Sequence, residues 1–200
     1  MAAQDGIALL REDHRAVKKL FKDFSATGDK AHAARRRLAD KIITELSIHA
    51  GIEENVLYPR ARVAVAKVED DVLEALEEHH IVKVTCAELE KMQPSDERFA
   101  AKMQVLMENV KHHIKEEEEE LFPKLRKAFS REELIVMGED MRAAKRVVPA
   151  RPHPSAPDQP PGSIAAAAVS APVDAARKTV GAAVRRGRKA VSGVVEGSTR

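Results

Sequence analysis

The spacing of apolar side chains along residues 1–146 predicts a series of amphipathic helices. From Ile7 to Phe24 these side chains recur every three or four residues, which is typical of a helix with one buried face. Three more runs follow, over residues 31–56, over residues 68–92 and after Ser95 or Asp96, either of which could cap the fourth helix. The pattern therefore predicts four main helices.

Two prolines and a capping motif mark further helix ends. We expect Pro59 to end or kink the second helix, because proline lacks an N–H and collides with the preceding turn; the fourth helix meets Pro123 in the same way. A shorter helix is predicted over residues 131–146, with Ser130 as its N-cap and Glu133 completing a capping box. This fifth helix is expected to pack on the other four.

Composition agrees with an all-α fold and divides the chain into two regions. Aromatic residues make up only 3% of the 200 residues, which suits helices packed through aliphatic side chains. Residues 1–142 contain 24 Lys and Arg against 29 Asp and Glu, whereas residues 143–200 contain 10 against 3. Seven of the ten prolines lie between Pro149 and Pro172. We therefore predict a helical domain over residues 1–148 and a disordered, basic tail over residues 149–200.

Cysteine content and hydropathy indicate the cellular compartment. Cys86 is the single cysteine, so neither an intramolecular disulfide nor a Cys-x-x-Cys pair can form. No signal-peptide pattern and no apolar window of transmembrane length is present in the 200 residues. These observations lead us to expect a cytoplasmic protein.

Two stretches of the sequence repeat one motif. The segment "HAGIEENVLYP" starts at His49 and "HIKEEEEELFP" starts at His113, 64 residues later. A matched helix precedes each, with His14 aligned to His79 in preference to His80. The chain is therefore predicted to be a tandem repeat of one helical hairpin, and two hairpins make a four-helix bundle.

The repeated motif has the spacing of a metal ligand pair. Residues four apart share a helix face, so His49 with Glu53, and His113 with Glu117, each present an imidazole beside a carboxylate. One such pair is common on exposed helices, but two copies inside a repeated motif favour metal binding. If His14 and His79 also point inward, the interior holds four imidazoles and two carboxylates, a set that suits two divalent ions.

These motifs resemble those of hemerythrin-like proteins, specifically the bacterial branch with HHE cation-binding repeats. The resemblance covers residues 7–128 and rests on "DH" at Asp13, "EHH" at Glu78 and the two long motifs. It implies an up-down-up-down bundle around two non-haem iron ions. The implied ligands are His14, His49, Glu53, His79, His113 and Glu117. Lys83 stands where oxygen-carrying members have another histidine, and Glu117 follows His113 by four residues, whereas their carboxylate is an aspartate five residues on.

Several neighbouring residues receive simpler interpretations. His80 and His112 lie about 100° around the helix from the expected ligands, so we predict that they face solvent or support the site, with replacement of His79 or His113 as the alternative. Glu54 and Glu118 are predicted to lie on solvated faces, with a hydrogen bond to a ligand histidine as the alternative. Core packing is expected for two aromatic residues and the thiol: Tyr58, Phe122 and Cys86.

The resemblance implies redox chemistry with a small ligand, O2, peroxide or nitric oxide, either for sensing or as a catalase-like or oxidase-like activity. The alternatives are an iron-oxidising or iron-handling protein, and a structural metal-binding adaptor whose basic tail binds nucleic acid or membrane. The segment "RRGRK" at Arg185 has no interleaved aromatic residues, so the nucleic-acid signal is weak. Oligomeric state does not follow from the sequence.

Overall fold

A computed structural model describes residues 4–156, and these residues form a helical bundle with no strands. Four long helices run up and down in chain order, with a shorter α7 packed against them. The helices are α1 (Gly6–Ser25), α2 (His32–Ile52), α3 (Tyr58–Ala64), α4 (Glu69–Lys91), α5 (Phe99–Glu116), α6 (Phe122–Ala128) and α7 (Arg131–Ala144). The all-α bundle predicted from the sequence is confirmed. Within residues 4–156, no helix is long and apolar enough to cross a membrane.

The helical backbone continues past both Pro59 and Pro123, so the alternative in which Pro59 ends the second helix is wrong. A π-helical turn, Glu53–Leu57, joins α2 to α3, and a second, Glu117–Leu121, joins α5 to α6. The Tyr58 N–H donates to the carbonyl of Glu53, five residues back, instead of four. The extra residue shifts the backbone register just before the proline, where an α-helical carbonyl would collide with the ring.

The ends of two other helices test the capping predictions. Helix α5 begins at Phe99, and no side chain caps it, so the predicted cap at Ser95 or Asp96 is wrong. The Asp96 carboxylate instead accepts from the Gln93 N–H within the preceding turn. At α7 the predicted capping box is present, with Ser130 and Glu133 bonding to each other's backbone N–H.

Two apolar clusters lie on either side of a polar layer. One contains Ile7, Leu10, Leu57, Leu125 and residues of α7, and the other contains Val17, Phe21, Ile43, Leu89 and Met103. In α1, His14 lies between the residues of the first cluster and those of the second. His49, His79 and His113 occupy the same level of the other three long helices. The bundle thus holds its buried polar residues between two apolar layers.

The end of the predicted domain and the start of the predicted tail both lie against the bundle. Val148 is buried over Gly51, and Arg151 forms an ion pair with Glu90 on α4. The prediction of disorder falls mainly on residues 157–200, which lie outside the described residues. A boundary between two regions at residue 148 remains a prediction.

Candidate metal centre

Six buried side chains converge in the polar layer between the two apolar clusters. They are the six residues named from the sequence: His14, His49, Glu53, His79, His113 and Glu117. Each is at most 6% exposed. They form two groups, one of His14, His49, Glu53 and Glu117 and one of Glu53, His79 and His113. Glu53 belongs to both, so its carboxylate lies between two positions at which a cation could bind.

The histidines approach one another through their Nε2 atoms. The distance between Nε2 of His14 and Nε2 of His49 is 3.2 Å, and that between His79 and His113 is also 3.2 Å. The Glu53 carboxylate lies between these pairs, with Oε1 3.2 Å from His49 Nε2 and Oε2 3.4 Å from His79 Nε2. Glu117 Oε2 lies 3.3 Å from His14 Nε2 and 3.6 Å from His113 Nε2.

In each of the four histidines of the centre, a carboxylate lies beside Nδ1, the ring nitrogen that faces away from the centre. The Nδ1–H of His14 donates to Glu118 at 2.8 Å, that of His79 to Glu54 at 2.9 Å and that of His113 to Glu78 at 2.7 Å. For His49, Asp13 Oδ2 lies 3.6 Å from Nδ1, just beyond hydrogen-bond distance. With the proton held on Nδ1, the Nε2 lone pair of a neutral imidazole points into the centre, as metal coordination requires.

These supporting contacts follow the sequence repeat. Asp13 and Glu78 each precede a histidine of their own helix yet contact the histidine of the next helix, His49 or His113. Glu54 contacts His79, later in the chain, and Glu118 contacts His14, near its start. The repeat therefore reproduces both the inner cluster and the carboxylates behind it.

The solvated faces predicted for Glu54 and Glu118 are wrong. Glu54 is 3% exposed, and the Glu118 side chain is 28% exposed. Lys83, where oxygen carriers have a histidine, donates to Glu54 at 2.8 Å. Residues 149–156 pack beside this pair and line a small cavity with Glu54 and Lys83, which explains why Glu54 is the more buried of the two. Equal spacing in both repeats was the sequence signal for these supporting roles.

Burial distinguishes the two histidines of each His-His pair. His79 and His113 enter the polar layer, whereas the His112 side chain is 62% exposed and His80 is half-buried. Cys86 is 1% exposed, and burial raises the pKa of its thiol to about 12, so the prediction of a buried apolar thiol is confirmed.

Tyr58 makes the two halves of the centre unequal. Its hydroxyl donates to Glu117 Oε1 at 3.2 Å and lies 3.4 Å from His79 Nε2. The matched residue, Phe122, has no hydroxyl and stacks on the His14 ring with 5.7 Å between ring centroids. Tyr58 is buried as expected for core packing, but the hydroxyl contact with Glu117 goes beyond that prediction.

The electrostatics of the cluster favour a cation. Burial, together with the charge of Glu117, raises the pKa of Glu53 well above its usual range. Burial alone would raise the pKa of Glu117 as well, but the imidazoles of His113, His14 and His49 outweigh it and hold that pKa below its ordinary value. Without a cation, the two carboxylates cannot both remain ionised at low cost.

Burial also sets the charge state of the histidines. It lowers the pKa of His49 to about 4 and lowers that of His79. At His113 burial acts in the same direction, but the charges of Glu117 and Glu78 outweigh it and raise the pKa. Neutral imidazoles at His49 and His79 are in the form that binds metal.

The buried oxygens of Glu53 and Glu117 also indicate whether these residues fit a metal. Both oxygens of Glu53 and Oε2 of Glu117 have no hydrogen-bond partner, although Glu53 is fully buried. Buried carboxylate oxygens are normally satisfied by a hydrogen bond or a metal. Imidazole nitrogens and carboxylate oxygens are the donors that iron, manganese and zinc accept, so the residues present fit a pair of such ions.

A sequence model of the hemerythrin HHE cation-binding domain matches residues 5–125 of this chain. The chain belongs to this hemerythrin family. An uncharacterized hemerythrin-like protein of Schizosaccharomyces pombe is 30% identical over 167 residues, which are 83% of this chain and 81% of that protein. The crystal structure of a hemerythrin HHE cation-binding domain-containing protein from Mycobacterium kansasii, described as an Rv2633c homolog, superimposes with a TM-score of 0.61. That match has 25% identity and covers 72% of this chain and 86% of the other.

A DNA nickase of a Nostoc species shows a partial match to this hemerythrin-family chain. The two are 29% identical over 143 residues, which are 72% of this chain but only 40% of the nickase. This chain therefore spans less than half of the length of that relative.

Proposed function

We propose that this chain is a non-haem di-iron protein that binds or reacts with O2, peroxide or nitric oxide. The six converging residues would hold the two ions: His14, His49, Glu53, His79, His113 and Glu117. The observation that carries the proposal is the fully buried Glu53, whose two unpartnered oxygens face one histidine group each. When bound, iron would supply one-electron exchange between its divalent and trivalent forms.

The chain's own residues would orient the ions and hold one proton nearby. Hydrogen bonds to carboxylates fix the rings of His14, His79 and His113 so that Nε2 faces inward. Burial, with the charges of Glu117 and Glu53, raises the pKa of Tyr58 well above its usual range, so its hydroxyl stays protonated and donates to Glu117. Six protein ligands for two ions also leave positions for a small ligand.

Metal analysis and an optical spectrum test the di-iron centre. Protein loaded with Fe(II) without oxygen and then exposed to air should contain about two irons per chain and develop an oxo-bridge charge-transfer band. The His49→Ala and His113→Ala variants should each bind less iron. If both variants kept the wild-type stoichiometry, the proposed ligand set would be wrong.

A catalase-like activity can be separated from binding or sensing. Addition of H2O2 to the iron-loaded protein, with O2 release followed by an oxygen electrode, measures turnover directly. Release no faster than that from an equal concentration of free iron would exclude the catalase-like activity and favour a binding role.

We also retain the cytoplasm as the expected location, which cell fractionation would test.

The partial match to a DNA nickase favours one second candidate, a metal-binding protein that contacts DNA. Residues 143–200 supply the basic charge, and phosphate contacts of this kind weaken steeply with salt. Fluorescence anisotropy with a labelled duplex at 50 and 200 mM salt, and nicking of supercoiled plasmid, would test it. Binding that is unchanged after deletion of residues 157–200 would exclude the tail as the contact.

A further inference from the structure

The second hairpin, formed by α4, α5 and α6, opens to solvent through an acidic cleft, whereas α7 packs over the matching face of the first hairpin, formed by α1, α2 and α3. The cleft lies between α4 and the end of α5 and has a volume of about 400 Å³ including its open mouth. Its carboxylates are Asp71, Glu74, Glu78, Glu116 and Glu120, and its inner wall includes His113 and Glu117.

The repeat shows that these carboxylates are not required by the bundle. With the same offsets, Glu74, Glu116 and Glu120 correspond to Leu9, Ile52 and Val56 of the first hairpin. Those apolar residues pack in the cluster that contains Met137 and Met141 of α7. Helix α7 thus covers the first half of the centre, whereas the equivalent face of the second half is open and lined with acid.

The remaining supporting carboxylates show the same difference. Asp13 of the first hairpin accepts a hydrogen bond from Lys145 at 2.6 Å. Its counterpart, Glu78, has a side chain that is 22% exposed and contacts His113 and His112. Lys124 pairs with Asp71 at the edge of the cleft and neutralises one of its five carboxylates. The cleft remains strongly negative.

Candidate metal-binding side chains extend from the surface end of the cleft to the buried centre. At the surface, His112 Nε2 lies 3.1 Å from Glu116 Oε1 and 4.0 Å from Glu78 Oε1, and these three residues could hold a cation. The other oxygen of Glu78 accepts from His113 at 2.7 Å. Behind it, Glu117 is 3% exposed and its Oε2 has no hydrogen-bond partner. Glu117 therefore lines the cleft and also presents Oε2 to Nε2 of His14 and His113 in the buried centre, so the two sites share this side chain.

We propose that this cleft is the route by which divalent cations reach the buried centre, with Glu78, His112 and Glu116 as the first binding position. The proposal rests on the metal-binding function proposed above. Mixed carboxylate and imidazole ligands suit Fe²⁺, Mn²⁺, Co²⁺ or Zn²⁺ better than Ca²⁺ or Mg²⁺. A negative cleft raises the local cation concentration and speeds association by ten- to a thousandfold at low salt.

The rate of Co²⁺ uptake tests the route, because Co²⁺ bound by nitrogen and oxygen ligands changes its visible absorption. Metal-free protein is mixed with Co²⁺ in a stopped-flow instrument at 10 mM and 150 mM salt. The cleft variant carries three substitutions at exposed or half-exposed positions, and the control carries three on other faces of the helices. They are Glu74→Gln, Glu116→Gln and Glu120→Gln for the cleft, and Glu45→Gln, Glu108→Gln and Glu119→Gln for the control.

We expect the cleft variant to load at least tenfold more slowly than the wild type at 10 mM salt, whereas the control variant stays within about twofold. The difference should shrink at 150 mM salt, where charges are screened beyond about 8 Å. His112→Gln alone should slow loading by several fold. All variants should reach the wild-type stoichiometry, and their circular dichroism should match that of the wild type.

Equal loading rates for the cleft and control variants would overturn the route. A cleft variant with reduced final stoichiometry would also overturn it, because these residues would then belong to the final site and not to the path. A different result would show that the proposed metal centre is wrong. In that case the wild-type chain would take up no Co²⁺, which would overturn both the centre and the route.

Discussion

Replacement of Glu54 by glutamine should weaken metal binding more than the matched replacement of Glu118. Both carboxylates accept a hydrogen bond from a histidine Nδ1–H, at 2.9 Å for Glu54 and 2.8 Å for Glu118. Glutamine keeps the size and an acceptor oxygen but removes the charge. The two substitutions therefore compare the same loss in two environments.

The magnitude follows from burial. A hydrogen bond to a charged group contributes about 1.5–3 kcal/mol, against about 0.5–1.5 kcal/mol for a neutral one. For Glu54, which is 3% exposed, substitution by glutamine should reduce the free energy of metal binding by about 1.4 kcal/mol, or tenfold in affinity. The Glu118 side chain is 28% exposed, and solvent screening should reduce its loss to about half of that, or roughly threefold.

Competition with a chromophoric chelator measures both affinities. Glu119→Gln is the control, because this exposed neighbour contacts no histidine of the centre and should leave the affinity unchanged. The thermal midpoint of each metal-free variant separates loss of affinity from loss of folding. If Glu118→Gln weakened binding as much as Glu54→Gln or more, the argument from burial would be refuted.

Three further predictions concern the protein around the centre. Burial raises the pKa of the Cys86 thiol from 9.0 to about 12. The thiol therefore stays protonated in the folded state, whereas in the unfolded chain it ionises above pH 9. Its contribution to the free energy of unfolding is fully present below pH 9, and above pH 9 that free energy should fall by about 1.4 kcal/mol per pH unit. Urea unfolding at pH 8 and 10 should show this slope reduced in Cys86→Ala. Gly138→Ala should lower the free energy of unfolding by about 1–3 kcal/mol, because its new Cβ would collide with the Gln4 carbonyl oxygen. Gly28→Ala, with nothing within 4 Å of the new Cβ, is the matched control, and equal melting temperatures for the two variants would contradict the prediction. Tyr58→Phe should leave the fold intact, since Phe122 occupies the matched position, but should cost about 1 kcal/mol in thermal unfolding through loss of the bond to Glu117; an unchanged midpoint would argue against that bond.

Local signals in the sequence were sufficient for the helices and for the six central residues. Apolar spacing located the long helices, and the helix C-terminal to Ser130 was correct to its capping box. The His-x-x-x-Glu pairs were readable because a helix fixes which residues share a face. The convergence of these residues with His14 and His79 is a property of the structure, whereas their role as ligands remains a proposal.

The carboxylates behind the histidines were harder to predict. Glu118 reaches His14 across 104 residues of sequence, and Glu54 reaches His79 across 25. Helical periodicity placed both beside the ligand face and so suggested solvent. The π turns at Glu53 and Glu117 widen the helix there, and residue propensities carry no clear signal for such turns; the prolines that follow were the available indication.

The sequence by itself determined the repeated helical hairpin and the set of imidazoles and carboxylates, because helix periodicity and duplication act over a few residues at a time. Tertiary structure decided which carboxylate supports which histidine, how deeply Glu54 is buried and which half of the centre is open. Those features depend on how separate helices pack. Helix α7 closes the half formed by the first hairpin, and the matching face of the second hairpin, with no such cover among the described residues, retains the acidic cleft.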